Sequence, residues 1–264
     1  MIKCPLCEGK SRKYWSDRLY KVYRCDSCLL SFISPVPADQ ESIYGKEYFT
    51  RWYIERYSAR KAYTRRIISP IFKNARKGGR LLDVGCGIGI LLEVAGEAGF
   101  EAYGQDTSGF AVGYTLKKGL RAFPGQLDEA GFSPCSFDIV TIFDVIAHIP
   151  DPAACLETCS RLLKPGGILA VKTPLHAGRL FAISEALSFT GKGRSLLHLP
   201  AQIFHFCPET FMVISGKLGL ETVRGFCVRE PGFIDSKDFK VSALAMLERL
   251  LSGRSSIIIM KKRK

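Results

Sequence analysis

The sequence has no long apolar run. None of the stretches in its 264 residues approaches the roughly 20 apolar residues that a membrane-spanning helix needs. Its first residues, MIKCPLCEGK, lack the apolar core of a secretory signal. We therefore expect a soluble, cytoplasmic protein with no membrane span. Internal repeats and low-complexity tracts are also absent, and the hydrophobic content of 47% is ordinary for a globular chain.

The sequence also lacks a disulfide framework. Four of its ten cysteines form two C-x-x-C pairs near the N-terminus, and the other six are scattered through segments with core or helical patterns. Such usage is typical of a protein in a reducing compartment.

A glycine-rich stretch, LLDVGCGIGI, lacks the spacing of the two common phosphate-binding motifs. The dinucleotide fingerprint is G-x-G-x-x-G, and the phosphate loop of nucleoside triphosphatases needs G-x-x-x-x-G-K-[ST]. Here Gly85, Gly87 and Gly89 alternate with other residues, Asp83 stands two residues before them, and no Lys-Ser or Lys-Thr follows. Glycines still allow a nucleotide-like ligand to approach the backbone closely, and the next helix offers its first amide groups.

From Gly79 onward the sequence alternates apolar strands with helices. Near-continuous apolar strands between helices indicate a parallel sheet that is covered on both faces. The sequence therefore predicts an α/β fold with a doubly wound, Rossmann-like, mostly parallel sheet of seven strands. These strands are predicted at 80–85, 101–106, 120–125, 136–144, 164–174, 220–228 and 254–264, and helices at 89–99, 108–119, 151–163 and 207–219.

An acidic residue ends the second predicted strand, EAYGQD. An acid about 20 residues after the glycines accepts hydrogen bonds from both ribose hydroxyls in Rossmann-like sheets. Asp106 occupies that position. The alternative is structural: the glycines would form only a tight turn, and Asp106 would only cap the next helix.

The glycines, Asp106 and the strand order together resemble the S-adenosylmethionine-binding site of class I methyltransferases. By this resemblance the turn Gly85, Cys86, Gly87 and Gly89 binds the cofactor together with Asp83 and Asp106. The resemblance continues to FDVIAHIPDP and LKPGG, which are similar to "leHv-x-dP" and "LkPGG" of a large methyltransferase family. It implies further cofactor contacts: Leu127 and Asp128 beside the adenine, and Phe143 and Asp144 at the end of the fourth strand.

The fourth strand lacks the [DN]-P-P-[YF] tetrad. Enzymes that methylate exocyclic amino groups of DNA bases or glutamine amides resemble one another in that tetrad. Here the strand ends in FDVIAH, so we expect no amino-methylation of DNA.

The two N-terminal cysteine pairs have the spacing C-x2-C-x17-C-x2-C. Cys4, Cys7, Cys25 and Cys28 fit a structural zinc site with four thiolate ligands. Iron, reactive thiols or disulfides are the alternatives. A bound metal would replace the core that a segment of about 35 residues cannot build. We therefore predict a small N-terminal zinc ribbon over residues 1–35.

The sequence around the second cysteine pair resembles a family of bacterial methyltransferases with an N-terminal zinc ribbon. YRCDSCLLSFISPVPADQESIYGKEYF is similar to that family's "C-x-x-C-G-L-x-F-x-x-P-x-P" and the helix with "Y...YF" that follows. Leu29 replaces the family's glycine, so we expect a slightly altered knuckle. The resemblance implies a small molecule, sugar or cell-surface glycan precursor as the acceptor.

Residues 36–78 are predicted to form a helical connector or lid before the methyltransferase domain at 79–264. Tyr44 and Tyr48 on this connector are candidates to cover the cofactor. Residues 1–79 carry 17 Lys and Arg against 7 Asp and Glu, which is +10 of the net charge of +13 that the whole chain carries. This basic third could attract an anionic partner or form only a solvated face.

Methyl transfer to a hydroxyl or a carbon acid needs a base, and histidine is the natural candidate. His148 follows the fourth strand, where ligands bind in open α/β sheets. His198 and His205 lie in an insertion at about 175–206 that we expect to fold over the acceptor. His176 follows the fifth strand and is a fourth candidate. Each histidine could instead have only a structural role.

The sequence therefore predicts a methyltransferase that uses S-adenosylmethionine and acts on a small molecule or glycan. An RNA methyltransferase is the first alternative, because Arg and Lys are interleaved with Trp and Tyr in the basic N-terminal region. A non-catalytic module that keeps the fold and binds protein through the ribbon is the second.

Overall fold

The structure is a computed structural model of the chain and describes residues 2–36, 44–73, 75–175, 178–187, 192–228 and 255–263. His176 and the first part of the predicted connector, 37–43, lie outside the described residues. Among the helices described, none is long and apolar enough to cross a membrane.

The N-terminal segment forms a small antiparallel sheet. Its strands are β1 (Ile2–Lys3), β2 (Lys10–Ser16), β3 (Lys21–Cys25) and β4 (Ser31–Ile33). The hairpin of β2 and β3 follows the alternation of aromatic and charged residues in KYWSDRLYKVYRC. Leu29 adopts φ 60°, the left-handed conformation that glycine favours, so a leucine occupies a turn in which a glycine would be less strained.

A helical segment follows the small sheet. It comprises α1 (Lys46–Phe49), one π-helical turn (Thr50–Ile54) and α2 (Tyr57–Phe72). Isoleucines of α2 pack against the strand and helix that follow it, in a cluster with Leu81 and Leu91. The described part of the connector is therefore largely helical, and its bounds at 36–78 and its role as a lid stay predictions.

The main sheet begins after this helical segment with alternating strands and helices. Each apolar run predicted as a strand in this part forms one. The elements are β5 (Arg80–Val84), α3 (Ile90–Glu97), β6 (Glu101–Asp106), α4 (Gly109–Lys117), β7 (Arg121–Pro124), a 3₁₀ turn (Leu127–Ala130), β8 (Phe137–Phe143), α5 (Pro152–Leu162) and β9 (Leu163–Pro174).

The remaining described elements complete both sheets. They are α6 (Gly178–Ala186), α7 (Lys192–Leu196), β10 (Phe204–His205), α8 (Pro208–Lys217), β11 (Leu220–Cys227) and β12 (Ser255–Lys262). The main sheet has the order β11-β12-β9-β8-β5-β6-β7. β12 runs antiparallel to both of its neighbours, and β5 to β9 are parallel. The predicted seven-stranded, mostly parallel, doubly wound sheet is therefore confirmed.

The predicted KPGG turn lies at the beginning of β9. Pairing between β8 and β9 jumps from Phe137–Leu163 to Ile139–Ile168. The four residues in between loop out of the ladder, which is the local geometry that Pro and Gly favour.

The small sheet is joined to the main body. β10, from the predicted insertion, pairs with β4 as a fifth strand, so Phe204 lies opposite Phe32. Trp15 and Ile33 pack with Phe181 and Leu197 of the same insertion. The described part of the insertion thus completes the N-terminal sheet, a contact that the sequence did not predict.

Candidate active site

A cavity of about 560 Å³ lies at the carboxyl ends of the parallel strands. Residues after β5, β6 and β8 form its floor, and the helical segment with α1 and α2 forms the opposite wall. Ligands bind at this edge in open α/β sheets. Nine of the ten residues predicted to contact the cofactor line it: Asp83, Gly85, Cys86, Gly87, Asp106, Leu127, Asp128, Phe143 and Asp144. Gly89 does not line it, although its neighbours Ile88 and Ile90 do.

Side chains of other elements pack closely against the backbone of the glycine turn between β5 and α3. Gly85, Gly87 and Gly89 have φ values of 71°, 52° and 77°, which L-residues rarely adopt. A Cβ on Gly85 would lie 2.9 Å from Val145 Cγ1, and one on Gly89 would lie 2.8 Å from Thr115 Cγ2. The amide groups of Gly85 and Cys86 both donate to the Gln105 carbonyl oxygen, at 2.8 and 2.9 Å. These contacts fix the backbone of the turn at the edge of the cavity.

Asp106 lies at the end of β6 and supports the same turn. Its Oδ2 accepts a hydrogen bond from the Gly87 amide at 2.7 Å, and its Oδ1 accepts one from the Ser108 amide at 2.8 Å. Burial raises the pKa of this carboxyl, although both amide donors oppose that shift. Ser108, rather than Asp106, caps α4 through its side chain. Asp106 therefore does not cap the next helix, and its contact with a cofactor ribose stays a prediction.

Asp83 is the most deeply buried carboxyl of the cavity. Its Oδ1 accepts a hydrogen bond from Thr141 Oγ1 at 2.7 Å. Burial raises the pKa of Asp83 to about 7, and the hydrogen bond from Thr141 offsets only part of that shift. A cationic group beside Asp83 would favour its charged form.

Asp144 and Lys172 form an ion pair at the edge of the cavity. Asp144 follows β8 with φ 59°, and its amide donates to the Lys172 carbonyl oxygen at 2.9 Å. The Lys172 side chain is 1% exposed, and its ammonium contacts the Asp144 carboxylate. Sequence reasoning missed Lys172, although a lysine inside the apolar run ILAVKTP was a usable signal.

Aromatic side chains of the helical segment cover the cavity. Tyr44, Tyr48, Phe49 and Tyr53 all line it, and the centroids of neighbouring rings in this group lie 5.1 to 5.8 Å apart. Phe49 also lies over the glycine turn, 3.3 Å from the position of a Cβ on Gly87. Tyr44 and Tyr48 therefore lie on the wall of the cavity, and their covering of a bound cofactor stays a prediction.

His148 lines the cavity from the loop after β8. Its Nδ1 lies 2.6 Å from the Ala201 carbonyl oxygen. Because a carbonyl oxygen only accepts hydrogen bonds, Nδ1 carries the proton of the neutral ring and Nε2 keeps its lone pair. Burial lowers the pKa of His148 below its ordinary value. The side chain is therefore neutral at pH 7 and able to accept a proton.

The other two predicted catalytic histidines do not line this cavity with His148. His205 is 2% exposed and lies in β10, where its Nε2 is 3.0 Å from the Leu197 carbonyl oxygen. Its ring packs edge-on against Phe181, with the centroids 5.3 Å apart. His198 is exposed and adopts φ 52°. The geometry gives His205 a packing position in the small sheet, which differs from the predicted place over the acceptor.

The buried position of His205 predicts a pH-dependent stability. Burial lowers the pKa of His205 from 6.5 to about 4. The unfolded chain then binds a proton before the folded chain does, so stability is lost as the pH falls from 6.5 toward 4. The loss from this residue approaches about 3 kcal/mol over that range.

Urea unfolding at pH 7 and pH 4.5 measures this loss. The control is His205→Gln, which retains a donor for the Leu197 carbonyl and does not titrate. We expect the free energy of unfolding to fall by about 2 kcal/mol more in the wild-type chain than in the variant. An equal loss in both proteins would show that His205 does not cause the loss of stability at low pH.

The four N-terminal cysteines lie together in a buried cluster. Their sulfur atoms are all within 4.8 Å of one another, with 3.7 Å between Cys4 and Cys28 and 3.4 Å between Cys7 and Cys25. A disulfide would require about 2.0 Å. Four thiolates at about 2.3 Å from a tetrahedral zinc ion lie about 3.8 Å apart. The observed separations therefore fit the donor set of a zinc site.

The fold and the cavity together define the class I methyltransferase architecture. A family model described as a methyltransferase domain matches residues 53–210, which is more than half of the chain. The chain belongs to this methyltransferase family. The match includes the glycine turn, Asp106, the loop with His148 and the described part of the insertion.

Curated relatives and solved structures are similar to the same region. The chain is 39% identical over 103 residues to a ubiquinone biosynthesis O-methyltransferase of Methylococcus capsulatus, a match that covers 36% of this chain and 44% of the relative. A second such enzyme, from Paraburkholderia phymatum, is 37% identical over 97 residues, covering 34% of this chain and 42% of the relative. The chain thus matches less than half the length of these two relatives.

Solved methyltransferases share the fold at low sequence identity. A methyltransferase dependent on S-adenosylmethionine from Archaeoglobus fulgidus has a TM-score of 0.54 and 24% identity, covering 78% of this chain and 94% of that one. An N-methyltransferase from Haemonchus contortus, in complex with S-adenosylhomocysteine and phosphomonomethylethanolamine, has a TM-score of 0.56 and 20% identity, covering 76% of this chain and 52% of the other.

Proposed function

We propose that this chain is an S-adenosylmethionine-dependent methyltransferase that methylates a hydroxyl group of a small molecule. The observation that carries the proposal is the set of residues that line one cavity. It combines the left-handed glycine turn and Asp106 with His148, a neutral histidine whose Nε2 is available to accept a proton.

The cofactor would be held by residues whose chemistry matches its parts. Asp106 would accept hydrogen bonds from the ribose hydroxyls, and Asp83 would favour a cationic group of the methionine part. Leu127 and Asp128 would lie beside the adenine. Phe143 and Asp144 would close the pocket, and the aromatic wall would exclude water. When bound, the cofactor supplies an activated methyl group.

Deprotonation of the acceptor would fall to His148. A hydroxyl group is a poor nucleophile until a base takes its proton. The names of the curated relatives, which are O-methyltransferases, favour a hydroxyl acceptor on a small molecule. A sugar or glycan precursor is a narrower prediction within this class, and RNA is the alternative that the basic N-terminal third suggested.

We also propose that Cys4, Cys7, Cys25 and Cys28 bind a structural zinc ion. A site with four protein ligands leaves no position open for a substrate. Amide groups of Ser27 and Cys28 lie 3.3 and 3.5 Å from Cys25 Sγ, and such donors favour a charged thiolate. The zinc ribbon at 1–35, the connector at 36–78 and the methyltransferase domain at 79–264 form the proposed division of the chain.

Titration calorimetry with S-adenosylhomocysteine tests the proposed function. The protein sample is assayed for zinc, and the titration is repeated with a short RNA. We expect saturable cofactor binding, about one zinc ion per chain and no RNA binding. Absence of cofactor binding would overturn the enzyme proposal and favour a non-catalytic module, whereas strongly salt-dependent RNA binding would favour the RNA alternative.

Replacing Asp106 identifies the binding site in the same experiment. Asp106→Ala removes a buried acceptor and should weaken binding of S-adenosylhomocysteine more than tenfold, because hydrogen bonds to a charged group contribute about 1.5–3 kcal/mol each. Asp26→Ala, which removes a half-exposed carboxylate paired with Arg12 on the small sheet, is the control. Equal affinity of both variants would exclude Asp106 from the site.

A further inference from the structure

The loop that carries His148 contacts β10 through backbone hydrogen bonds. The amide groups of Ile203 and Phe204 donate to the Ala147 carbonyl oxygen, at 2.9 and 3.1 Å. His148 Nδ1 lies 2.6 Å from the Ala201 carbonyl oxygen. Three contacts therefore join the segment that leads into β10 to two consecutive residues at the cavity.

The same segment is held on its other side by the cysteine-bearing sheet. β10 pairs with β4, and the Ile33 amide donates to the Ile203 carbonyl oxygen at 3.0 Å. Ile203 thus bonds to the cavity loop through its amide and to the small sheet through its carbonyl group. The position of the Ala201 carbonyl group relative to His148 depends on both contacts.

Buried packing and two further hydrogen bonds fix the small sheet to the body. Trp15, 2% exposed, packs in one cluster with Leu197 and Leu199, which immediately precede this segment. On the other side of the sheet, Thr210 Oγ1 of α8 donates to the Cys28 carbonyl oxygen at 2.8 Å, and Lys217 Nζ donates to the Cys7 carbonyl oxygen at 2.7 Å. The cysteine knuckles are therefore attached at α8.

The alignment of His148 matters because only one tautomer of its neutral ring serves as a base toward the cavity. The Ala201 carbonyl oxygen selects the form with the proton on Nδ1. Without that acceptor the ring would take the Nε2–H form that an imidazole in water favours. That form has no lone pair on Nε2.

We infer that the cysteine-bearing sheet is a positioning element for His148, because it holds the Ala201 carbonyl group against Nδ1 and so selects the tautomer with a basic Nε2. The value of this tautomer for catalysis rests on the proposed function. The selection itself is a property of the fold. Trp15 and the metal-site cysteines act here as positioning residues, through β10 and the Ala201 carbonyl group.

The test is the ¹⁵N NMR spectrum of His148 in the full-length chain, labelled with ¹⁵N-histidine and assigned by comparison with His148→Asn. In the wild-type chain at pH 7.5 we expect a protonated Nδ1 and an unprotonated Nε2. In Trp15→Ala and Cys25→Ser we expect the Nε2–H form to become the major species. Affinity for S-adenosylhomocysteine should remain within about threefold, because the glycine turn and Asp106 lie on other elements.

Two further variants complete the test. Cys135→Ser changes an exposed cysteine outside the cluster and should leave the spectrum unchanged. Thr210→Val removes one hydrogen bond to the Cys28 carbonyl oxygen at nearly constant volume, and should shift the tautomer ratio in the same direction by less. It serves as the test if the other two variants fail to fold.

Persistence of the Nδ1–H tautomer in every folded variant of the sheet would overturn the inference. That result differs from failure of the proposed function, which would show as absence of S-adenosylhomocysteine binding to the wild-type chain. A wild-type chain that does not bind the cofactor but loses its His148 tautomer in Trp15→Ala would support the positioning role and contradict the enzyme proposal.

Discussion

Replacement of Gly85 by alanine is expected to weaken binding of S-adenosylhomocysteine at least 30-fold, roughly 2 kcal/mol. The residue has φ 71°, a conformation that costs an L-residue about 1–2 kcal/mol. Its new methyl group would also lie 2.9 Å from Val145 Cγ1 and closer still to Cγ2. Since the amides of Gly85 and Cys86 both donate to the Gln105 carbonyl oxygen, the turn cannot move without loss of those bonds. Calorimetry measures the affinity, and urea unfolding measures the accompanying loss of stability.

Gly96→Ala is the matched control for this substitution. Gly96 lies in α3, and a Cβ there meets no atom within 4 Å.

 Alanine in a helix interior is favoured over glycine by about 0.5–1 kcal/mol, so this variant should be unchanged in affinity and slightly more stable. The double variant Gly85→Ala/Val145→Ala relieves the steric conflict and retains the backbone strain. It should therefore recover part of the affinity. Wild-type affinity in Gly85→Ala alone would contradict the assigned role of the turn.

The main sheet could be predicted from the sequence because its strands have a strong local signal. β8 and β9 are nearly continuous apolar runs, and both are buried on the two faces of the sheet. Alternating glycines after a strand are suited to a left-handed turn that other residues rarely adopt, so the glycine turn was also predictable. Asp106 followed from its distance to that turn and from its place at the end of β6.

The contact between the small sheet and the insertion could not be predicted in the same way. β10 has only two residues, Phe204 and His205, which is too short for any periodicity. Its partner β4 has three residues and lies about 170 positions earlier in the chain. Nothing local in either segment indicates that they pair, because the pairing is decided by the packing of Trp15 and Ile33 against the insertion.

The roles of the histidines could not be separated from the sequence for a similar reason. His148 and His205 are both followed or preceded by apolar residues, and a histidine at the rim of an apolar segment fits either a catalytic or a packing role. The deciding contacts are made by backbone carbonyl groups, those of Ala201 and Leu197. Backbone acceptors are available at every residue, so no residue type in the sequence reveals them.

Part of the basic charge has a structural use in the described residues. Lys61 Nζ of α2 lies 2.7 Å from a carboxylate oxygen of Glu93 and 2.8 Å from one of Glu97, both in α3. Arg65 lies 2.6 Å from Glu97. These pairs join the covering helix to the body of the fold. Surface pairs contribute little stability individually, but they orient α2 so that the aromatic segment before it faces the cavity.

Replacement of His148 by asparagine is expected to lower the rate of methyl transfer by 10²- to 10⁴-fold, the usual contribution of a general base. The asparagine amide group can still donate to the Ala201 carbonyl oxygen, so the loop and β10 keep their contact while Nε2 is lost. Affinity for S-adenosylhomocysteine should therefore stay within about threefold of wild type. The measurement is single-turnover transfer from S-adenosylmethionine labelled in its methyl group to 3,4-dihydroxybenzoate, a small molecule with two neighbouring hydroxyl groups.

The pH dependence distinguishes loss of a base from loss of alignment. In the wild-type chain the rate should rise with pH to a plateau, with a midpoint below the ordinary histidine pKa of 6.5, because burial lowers the pKa of His148 and its neutral form is the active one. In His148→Asn this pH-dependent rise should vanish. A variant that only misaligned the acceptor would keep the same pH dependence at a lower rate. Retention of more than a tenth of the wild-type rate with the pH-dependent rise intact would show that another group takes the proton, and Asp144, at the same edge of the cavity, would then be the residue to replace next.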